Sequence, residues 1–309
     1  MQMEKKNIVV TGANGYIGHN VVKHLLDNGF NVTAVDMNNN NIDERANFIN
    51  INLFQENVDF YELLGHPSIC LHMAWRDGFK HNSENHIKDL YYHYNFLNNL
   101  IDNGTKQIAV MGTMHEIGFY EGKIDEDTPT NPLSYYGISK NSLREMLEVK
   151  RNNSDFILQW LRCFYIYGDD KNNHSIFTKI MEAEEEGKDL FPFTTGETKY
   201  DFIHVNELIE QISSVISQDE INGIINCCSG KPVSLKDKVE QFLKDNNYKI
   251  KLEYGAFPER PYDSKIVYGD DTKIKKIMKK KNARKRNVSS ETRSRKVNAF
   301  ILMKHMKEA

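Results

Sequence analysis

Four cysteines in 309 residues are too few for a disulfide-built fold, and two of them, Cys227 and Cys228, are adjacent and unsuited to an ordinary disulfide. Their spacing matches no zinc site, so no metal is expected. No apolar run is long enough to cross a membrane, and Lys5-Lys6 leads straight into the first apolar segment without a leader and cleavage site. Cys70, Cys163, Cys227 and Cys228 all lie in apolar, strand-like segments, which points to a reducing, cytoplasmic compartment. No internal repeat is visible. The net charge of −3 hides an asymmetry: residues 275–309 carry 13 Lys or Arg against two Glu, leaving about −14 for the rest of the chain. That basic run has no interleaved aromatic residues and no DNA-binding helix pair beside it. A solvated tail over residues 279–309 is therefore expected, with no nucleic-acid partner.

What the chain does contain begins at Ile8-Val9-Val10-Thr11-Gly12-Ala13-Asn14-Gly15-Tyr16-Ile17-Gly18. An apolar strand runs into three glycines spaced three apart, then into a helix predicted from Tyr16 to about Asn28. Gly12 lets the chain turn off the strand, Gly15 lets the backbone approach a pyrophosphate, and Gly18 lets the helix pack on the sheet. The helix N-terminus supplies free N–H groups and a positive dipole end for phosphate charge. A second strand, Asn31–Asp36, ends on an acid 18 positions beyond Gly18. There a carboxylate accepts from both hydroxyls of an adenine ribose and repels a 2′-phosphate. Met37-Asn38-Asn39-Asn40-Asn41 offers no Arg or Lys to such a phosphate, so NAD(H) is favoured as cofactor, with NADP(H) the alternative. In the plainer reading, Asp36 only caps a strand end.

Further apolar runs at 47–52, 69–74, 107–112, 156–163 and 223–226 alternate with helical patterns near 82–102 and 134–150. Such βαβ alternation predicts an α/β fold with a Rossmann-type, doubly wound, mostly parallel sheet, its ligand lying beyond the strands' C-terminal ends. Tyr136-Gly137-Ile138-Ser139-Lys140 puts a phenol and an ammonium four residues apart on one helix face. Bringing a tyrosine from its ordinary pKa of about 10 towards neutrality costs roughly 3 to 4 kcal/mol, which Lys140 and a nicotinamide charge can jointly supply. The phenol then trades a proton with a substrate oxygen. Thr113 closes the Ile108–Gly112 run and is placed to polarise the same oxygen. Taken alone, a Tyr-x-x-x-Lys is a common surface pairing.

With the glycine loop, Asp36, Thr113 and the Tyr136/Lys140 pair in this order, the chain resembles the extended short-chain dehydrogenase/reductase family, in its nucleotide-sugar branch. The resemblance runs from about Asn7 to Ile277. It includes Leu71-His72-Met73-Ala74, Arg162-Cys163-Phe164-Tyr165-Ile166-Tyr167-Gly168, Asp201-Phe202-Ile203-His204-Val205 and Asn226-Cys227-Cys228-Ser229-Gly230-Lys231-Pro232. The resemblance implies two lobes: a cofactor domain (1–167 with 200–227) and a smaller α/β substrate domain (168–199 with 228–278). It implies cofactor contacts from Gly12, Asn14, Gly15, Tyr16, Ile17, Gly18, Asp36, Asn52, Leu53, Met73, Ala74, Tyr136 and Lys140. It also implies catalysis by Thr113, Tyr136 and Lys140, and a nucleoside-diphosphate sugar held by Thr113 and Arg260. Arg260-Pro261-Tyr262-Asp263 looks like the family's diphosphate-gripping segment, since a guanidinium fork suits two phosphates. A homodimer through the helices at 82–102 and 134–150 is the family's usual assembly.

Several positions depart from the family's pattern. Asn52 stands in place of an Asp, Tyr200 in place of an Arg, and the usual Leu-Gly-Trp after Ile277 is missing, so an altered final helix is expected. Thr113-Met114-His115-Glu116 lacks the acid pair that follows the threonine in the family's 4,6-dehydratases, which argues against dehydration. The segment, with Asp125-Glu126-Asp127-Thr128-Pro129, looks most like the reductases of nucleoside-diphosphate 4-keto-6-deoxyhexoses, the dTDP-fucose-forming type that serves deoxysugar biosynthesis for surface polysaccharide. An NAD-dependent 4-epimerase is the alternative reading, and a non-catalytic dinucleotide sensor a further one. His115 and Glu116, and Arg76, Asp77 and His81 after the fourth strand, are either sugar contacts or ordinary loop polar groups.

Overall fold

Residues 6–168, 175–259 and 264–283 are described by a computed structural model of the chain. In chain order its first elements are β1 (Asn7–Thr11), α1 (Tyr16–Asp27), β2 (Asn31–Asp36), β3 (Asn47–Asn50), α2 (Phe60–Leu63), β4 (Ile69–His72), α3 (Asn85–Asn103) and β5 (Gln107–Thr113). A 3-10 turn (Met114–Glu116), β6 (Gly122–Ile124), α4 (Tyr135–Arg151), β7 (Ile157–Cys163), β8 (Tyr165–Tyr167), α5 (Ile176–Glu185) and β9 (Leu190–Phe193) follow. Then come β10 (Lys199–His204), α6 (Val205–Ile216), β11 (Gly223–Cys227), β12 (Pro232–Ser234), α7 (Leu235–Asp245), β13 (Lys251–Tyr254) and β14 (Ile266–Gly269). Residues 272–283 are helical.

Seven strands form one parallel sheet in the order β11-β7-β5-β4-β1-β2-β3, the doubly wound arrangement expected from the sequence. The near-continuous apolar runs of its central strands follow from burial on both faces. Alternation sends Ile8 and Val10 of β1 to one face, where they pack with Val21, Val22 and Leu25 of α1 and Leu208 and Ile212 of α6. Val9 goes to the other face, against Phe96, Leu97 and Leu100 of α3 and Leu143 and Leu147 of α4. From β1 the chain builds β2 and β3 on one side and then crosses to β4 on the other, so a crevice opens at the C-terminal ends of β1 and β4.

A second sheet, β12-β10-β14-β6 with β8 on β10, draws strands from widely separated parts of the chain, and β9 and β13 form a two-stranded parallel ribbon. Asp201 at the heart of β10 is fully buried and ties this region together. Its Oδ1 accepts from Ser229 N (2.8 Å) and Ser229 Oγ (2.6 Å), and its Oδ2 from Gly230 N (2.9 Å) and Gly269 N (3.1 Å). Where Leu-Gly-Trp is missing, the chain remains helical, and Lys280 and Lys281 anchor that helix to Glu220 and to Glu210 of α6. The tail beyond residue 283 lies outside the described residues.

Candidate active site

Two of the three glycines of the loop after β1 leave no room for a side chain. Gly12 has φ +68°, and a Cβ there would lie 2.7 Å from Ala74 N; a Cβ on Gly18 would lie 2.0 Å from Gly12 O. The first is the left-handed region that suits glycine, and the second lets α1 press onto the loop itself rather than only on the sheet. No side chain caps the N-terminus of α1, which leaves its first N–H groups for an anion. Tyr16 and Ile17 open that helix.

Asp36, half-buried at the end of β2, accepts from Asn14 N (3.0 Å) and Met37 N (2.7 Å). Each carboxylate oxygen keeps acceptor capacity for a ribose hydroxyl. The asparagine run does more than lack positive charge. Asn14 donates to Asn38 Oδ1 (2.6 Å) and accepts from Asn41 N (2.8 Å), so the run folds back over the glycine loop. Arg45, the first basic residue after Asp36, pairs with Asp27 (2.7 Å) and Asp43 (2.6 Å). Asn52 is exposed and turns its Oδ1 to Phe54 N (2.9 Å), Leu53 is buried, and Met73 and Ala74 donate their N–H groups to Thr11 Oγ1 (3.2 Å each).

Thr113, Tyr136 and Lys140 meet where β5 ends against α4. Ser134 caps α4 by accepting Gly137 N (3.2 Å), and this sets Tyr136 in the first turn and Lys140 in the next. Burial pushes the Tyr136 phenol above its ordinary pKa, opposed in part by the Thr113 hydroxyl, which favours the ionised form. Lys140 is 2% exposed; burial pushes it down to about 7, opposed by the charge of Glu116. Its Nζ donates to Met111 O (2.6 Å) and lies 3.9 Å from the centre of the Trp75 ring. The expected depression of the phenol draws on both Lys140 and a nicotinamide charge. Burial wins at Tyr136, and the Lys140 ammonium is directed at a carbonyl and an indole face.

Glu116 does not face the crevice. It is fully buried, accepts Thr113 N (2.7 Å) and Trp160 Nε1 (2.9 Å), and lies 3.5 Å from Arg162 Nε. It therefore acts behind the threonine, closing a capping box on the 3-10 turn. His115 and His81 pack ring to ring (4.4 Å), and His81 stacks on Tyr136 (5.3 Å, 15°) and accepts Tyr136 N at its carbonyl (2.9 Å). Burial holds His115 down at about 4. Arg76 instead pairs with Asp89 (Nη2 to Oδ1, 2.7 Å), and Asp77 accepts Ser83 Oγ and Asn85 Nδ2 (2.7 Å each), so both organise their loop. Arg260, the expected diphosphate ligand, lies outside the described residues.

Trp75, His86 and His93 were missed by sequence reasoning. The only signal available was a tryptophan, one of two in the chain, directly after His72-Met73-Ala74.

Residues 8–228 match the family described as NAD dependent epimerase/dehydratase, nearly three quarters of the chain. The chain belongs to that family. NAD is the family's cofactor, and the close-packed glycine loop, the uncapped start of α1 and the Asp36 carboxylate fit it. A dTDP-6-deoxy-L-talose 4-dehydrogenase (NAD(+)) of Aggregatibacter actinomycetemcomitans is 44% identical over 271 residues, covering 85% of this chain and 99% of that protein. A putative UDP-glucose 4-epimerase of Methanocaldococcus jannaschii is 25% identical over 277 residues, covering 83% and 85%. The solved UDP-N-acetylglucosamine 4-epimerase of Methanobrevibacter ruminantium superposes with a TM-score of 0.76 at 23% identity, covering 89% and 92%, a likeness of fold. Among the described residues no helix is long and apolar enough to cross a membrane, and no group of three or more His, Cys, Asp or Glu is placed to hold a metal. All four cysteines are buried and form no disulfide.

Proposed function

We propose that this protein is an NAD(H)-dependent oxidoreductase acting at carbon 4 of a nucleoside-diphosphate 6-deoxyhexose, reducing the 4-keto group. The observation that carries the reading is the convergence of Thr113, Tyr136 and buried Lys140 where β5 ends against α4, with the Thr113 hydroxyl favouring the ionised Tyr136 phenol. The Aggregatibacter relative, named for the same 4-hydroxyl/4-keto couple and matched over nearly its whole length, supports the choice of carbon and sugar class.

NAD(H), when bound, supplies or takes up hydride at the sugar carbon. Gly12, Asn14, Gly15, Tyr16, Ile17 and Gly18 would hold its diphosphate, Asp36 its adenine ribose, and Asn52, Leu53, Met73 and Ala74 the walls around it. In reduction, the Thr113 hydroxyl donates to the keto oxygen and polarises it, and Tyr136 delivers a proton to that oxygen as charge builds there. Raised by burial, the phenol is a proton donor at neutral pH. Charged Lys140 then stabilises the phenolate that Tyr136 becomes. Glu116 holds Thr113 in place from behind, and Arg260 is assigned to the substrate diphosphate.

The same proposal divides the chain into a cofactor lobe (1–167 with 200–227) and a substrate lobe (168–199 with 228–278). It assigns a homodimer through α3 and α4, which expose Ile87, Tyr91, Tyr135 and Ile138. It also assigns a reducing, cytoplasmic setting.

Mixing the protein with NADH or NADPH and a dTDP- or GDP-4-keto-6-deoxyhexose, while following the near-ultraviolet absorbance of the reduced cofactor, tests the reaction. Stoichiometric loss of absorbance with a new deoxysugar is expected. Flat absorbance, with UDP-hexoses interconverting at carbon 4, assigns the epimerase activity instead, a reading favoured by the Methanocaldococcus relative.

A further inference from the structure

The ammonium of Lys140 is nearly stripped of water, yet among the described residues no carboxylate lies within ion-pair distance of it. What it meets is Trp75. The ammonium sits 3.9 Å from the ring centre, well within the range at which an indole face attracts a cation. The groups facing Lys140 from other elements are Glu116 of the 3-10 turn, Cys163 of β7, His72 of β4 and His93 of α3, with Tyr136 one turn back on its own helix.

Trp75 is held from two directions. Its Nε1–H donates to His86 Nδ1 (3.0 Å), which leaves His86 Nε2 as the donor to Lys80 O (3.0 Å). The ring of His93 stacks on the indole at 4.3 Å and 8°. His93 is fixed in turn. Thr11 Oγ1 accepts both Met73 N and Ala74 N, so its hydroxyl proton goes to His72 Nδ1 (2.8 Å), and His72 Nε2–H donates to His93 Nδ1 (2.9 Å). This places both histidines in the neutral form, and burial keeps them so, His72 down to about 3 and His93 well below its ordinary range. A neutral imidazole against the indole adds no charge to compete with the ammonium.

We propose that Trp75 is the positioning residue for Lys140, its indole face holding the ammonium in place of a carboxylate, locked by His93 and His86 and tied through His72 to Thr11 beside the glycine loop. A carboxylate would hold the ammonium more tightly but would add negative charge beside the phenolate Tyr136 must form. The indole face holds the cation without doing so. The pH-rate part of this proposal rests on the reading of Lys140 as a group charged during turnover.

Protein carrying fluorinated tryptophan shows two fluorine resonances, from Trp75 and Trp160, and Trp75→Phe assigns them. In the cofactor-free protein the Trp75 resonance is expected to shift in a step near the Lys140 midpoint and to lose that step in Lys140→Met. A step of the same size and midpoint in Lys140→Met overturns the proposal, whatever reaction the protein catalyses. In turnover, Trp75→Leu is expected to move the alkaline limb of kcat/KM down by about one pH unit, equivalent to about 1.4 kcal/mol, with Trp75→Phe restoring most of it. A lower kcat with an unmoved limb in Trp75→Leu marks a merely structural residue and overturns the proposal. Should Trp75→Leu not fold, the fluorine titration decides.

Discussion

The carboxylate of Glu116 accepts the backbone N–H of Thr113 at 2.7 Å from inside the core, so the residue that ends β5 is held by a charge buried behind it. The same carboxylate lies 3.5 Å from the equally buried guanidinium of Arg162. Glu116→Gln keeps the shape but leaves that guanidinium uncompensated, a situation that typically costs about 3 to 5 kcal/mol. Urea unfolding should show a loss of that order. A loss below about 1 kcal/mol would show that Arg162 finds its compensation elsewhere.

Thr113→Val removes the hydroxyl that favours the ionised Tyr136 phenol and keeps the side chain's volume. Turnover should fall about a hundredfold, the scale of losing one donor to a developing oxyanion. NADH affinity, measured by fluorescence, should stay as it was. A parallel fall in affinity would mean that Thr113 supports the cofactor rather than the reacting oxygen.

Gly18→Ala places a methyl 2.0 Å from Gly12 O, a contact relieved only by moving the loop or the helix. Overpacking of this kind costs about 1 to 3 kcal/mol. The expected signature is a weaker NAD complex, by about tenfold or more, since about 1.4 kcal/mol corresponds to tenfold. An unchanged Kd with a lowered melting temperature would separate packing from binding.

Acid should destabilise this protein through its buried histidines. His72 is held down at about 3, His115 at about 4, and His93 well below its ordinary range, all by burial. Below about pH 6.5 the unfolded chain takes up protons that the folded protein refuses, so stability falls as pH drops from about 6.5 to 4. The slope is about 1.4 kcal/mol per pH unit for each histidine. Urea midpoints between pH 7 and 4.5 measure it, and His72→Asn should reduce the slope by one proton; an unaltered slope would remove His72 from the set.

The geometry of the glycine loop was legible because it depends on local rules. Glycine spacing, a strand before and a helix after, and an acid at the end of the next strand are contacts between residues close in the chain. Strands β1, β2, β3, β4, β5, β7 and β11 fell within two residues of the apolar runs, and β4 ends at His72, where Thr11 takes over the bonding of Met73 and Ala74. Glu116 and Trp75 were not legible. Glu116 reads as a loop acid until β7 places Trp160 and Arg162 behind it. Trp75 has no role visible in sequence until α3 and α4 bring His86, His93 and Lys140 around it.

The sequence by itself determined the parallel sheet and the tight glycine loop at the end of β1, because hydrophobic periodicity and glycine sterics act over a few residues. Tertiary structure alone decided the electrostatics of Tyr136 and Lys140. Burial raises the phenol of Tyr136 and lowers Lys140 to about 7, and the Glu116 and Cys163 beside them arrive from the 3-10 turn and from β7. Desolvation and charge placement depend on what folding brings near, which no local pattern records.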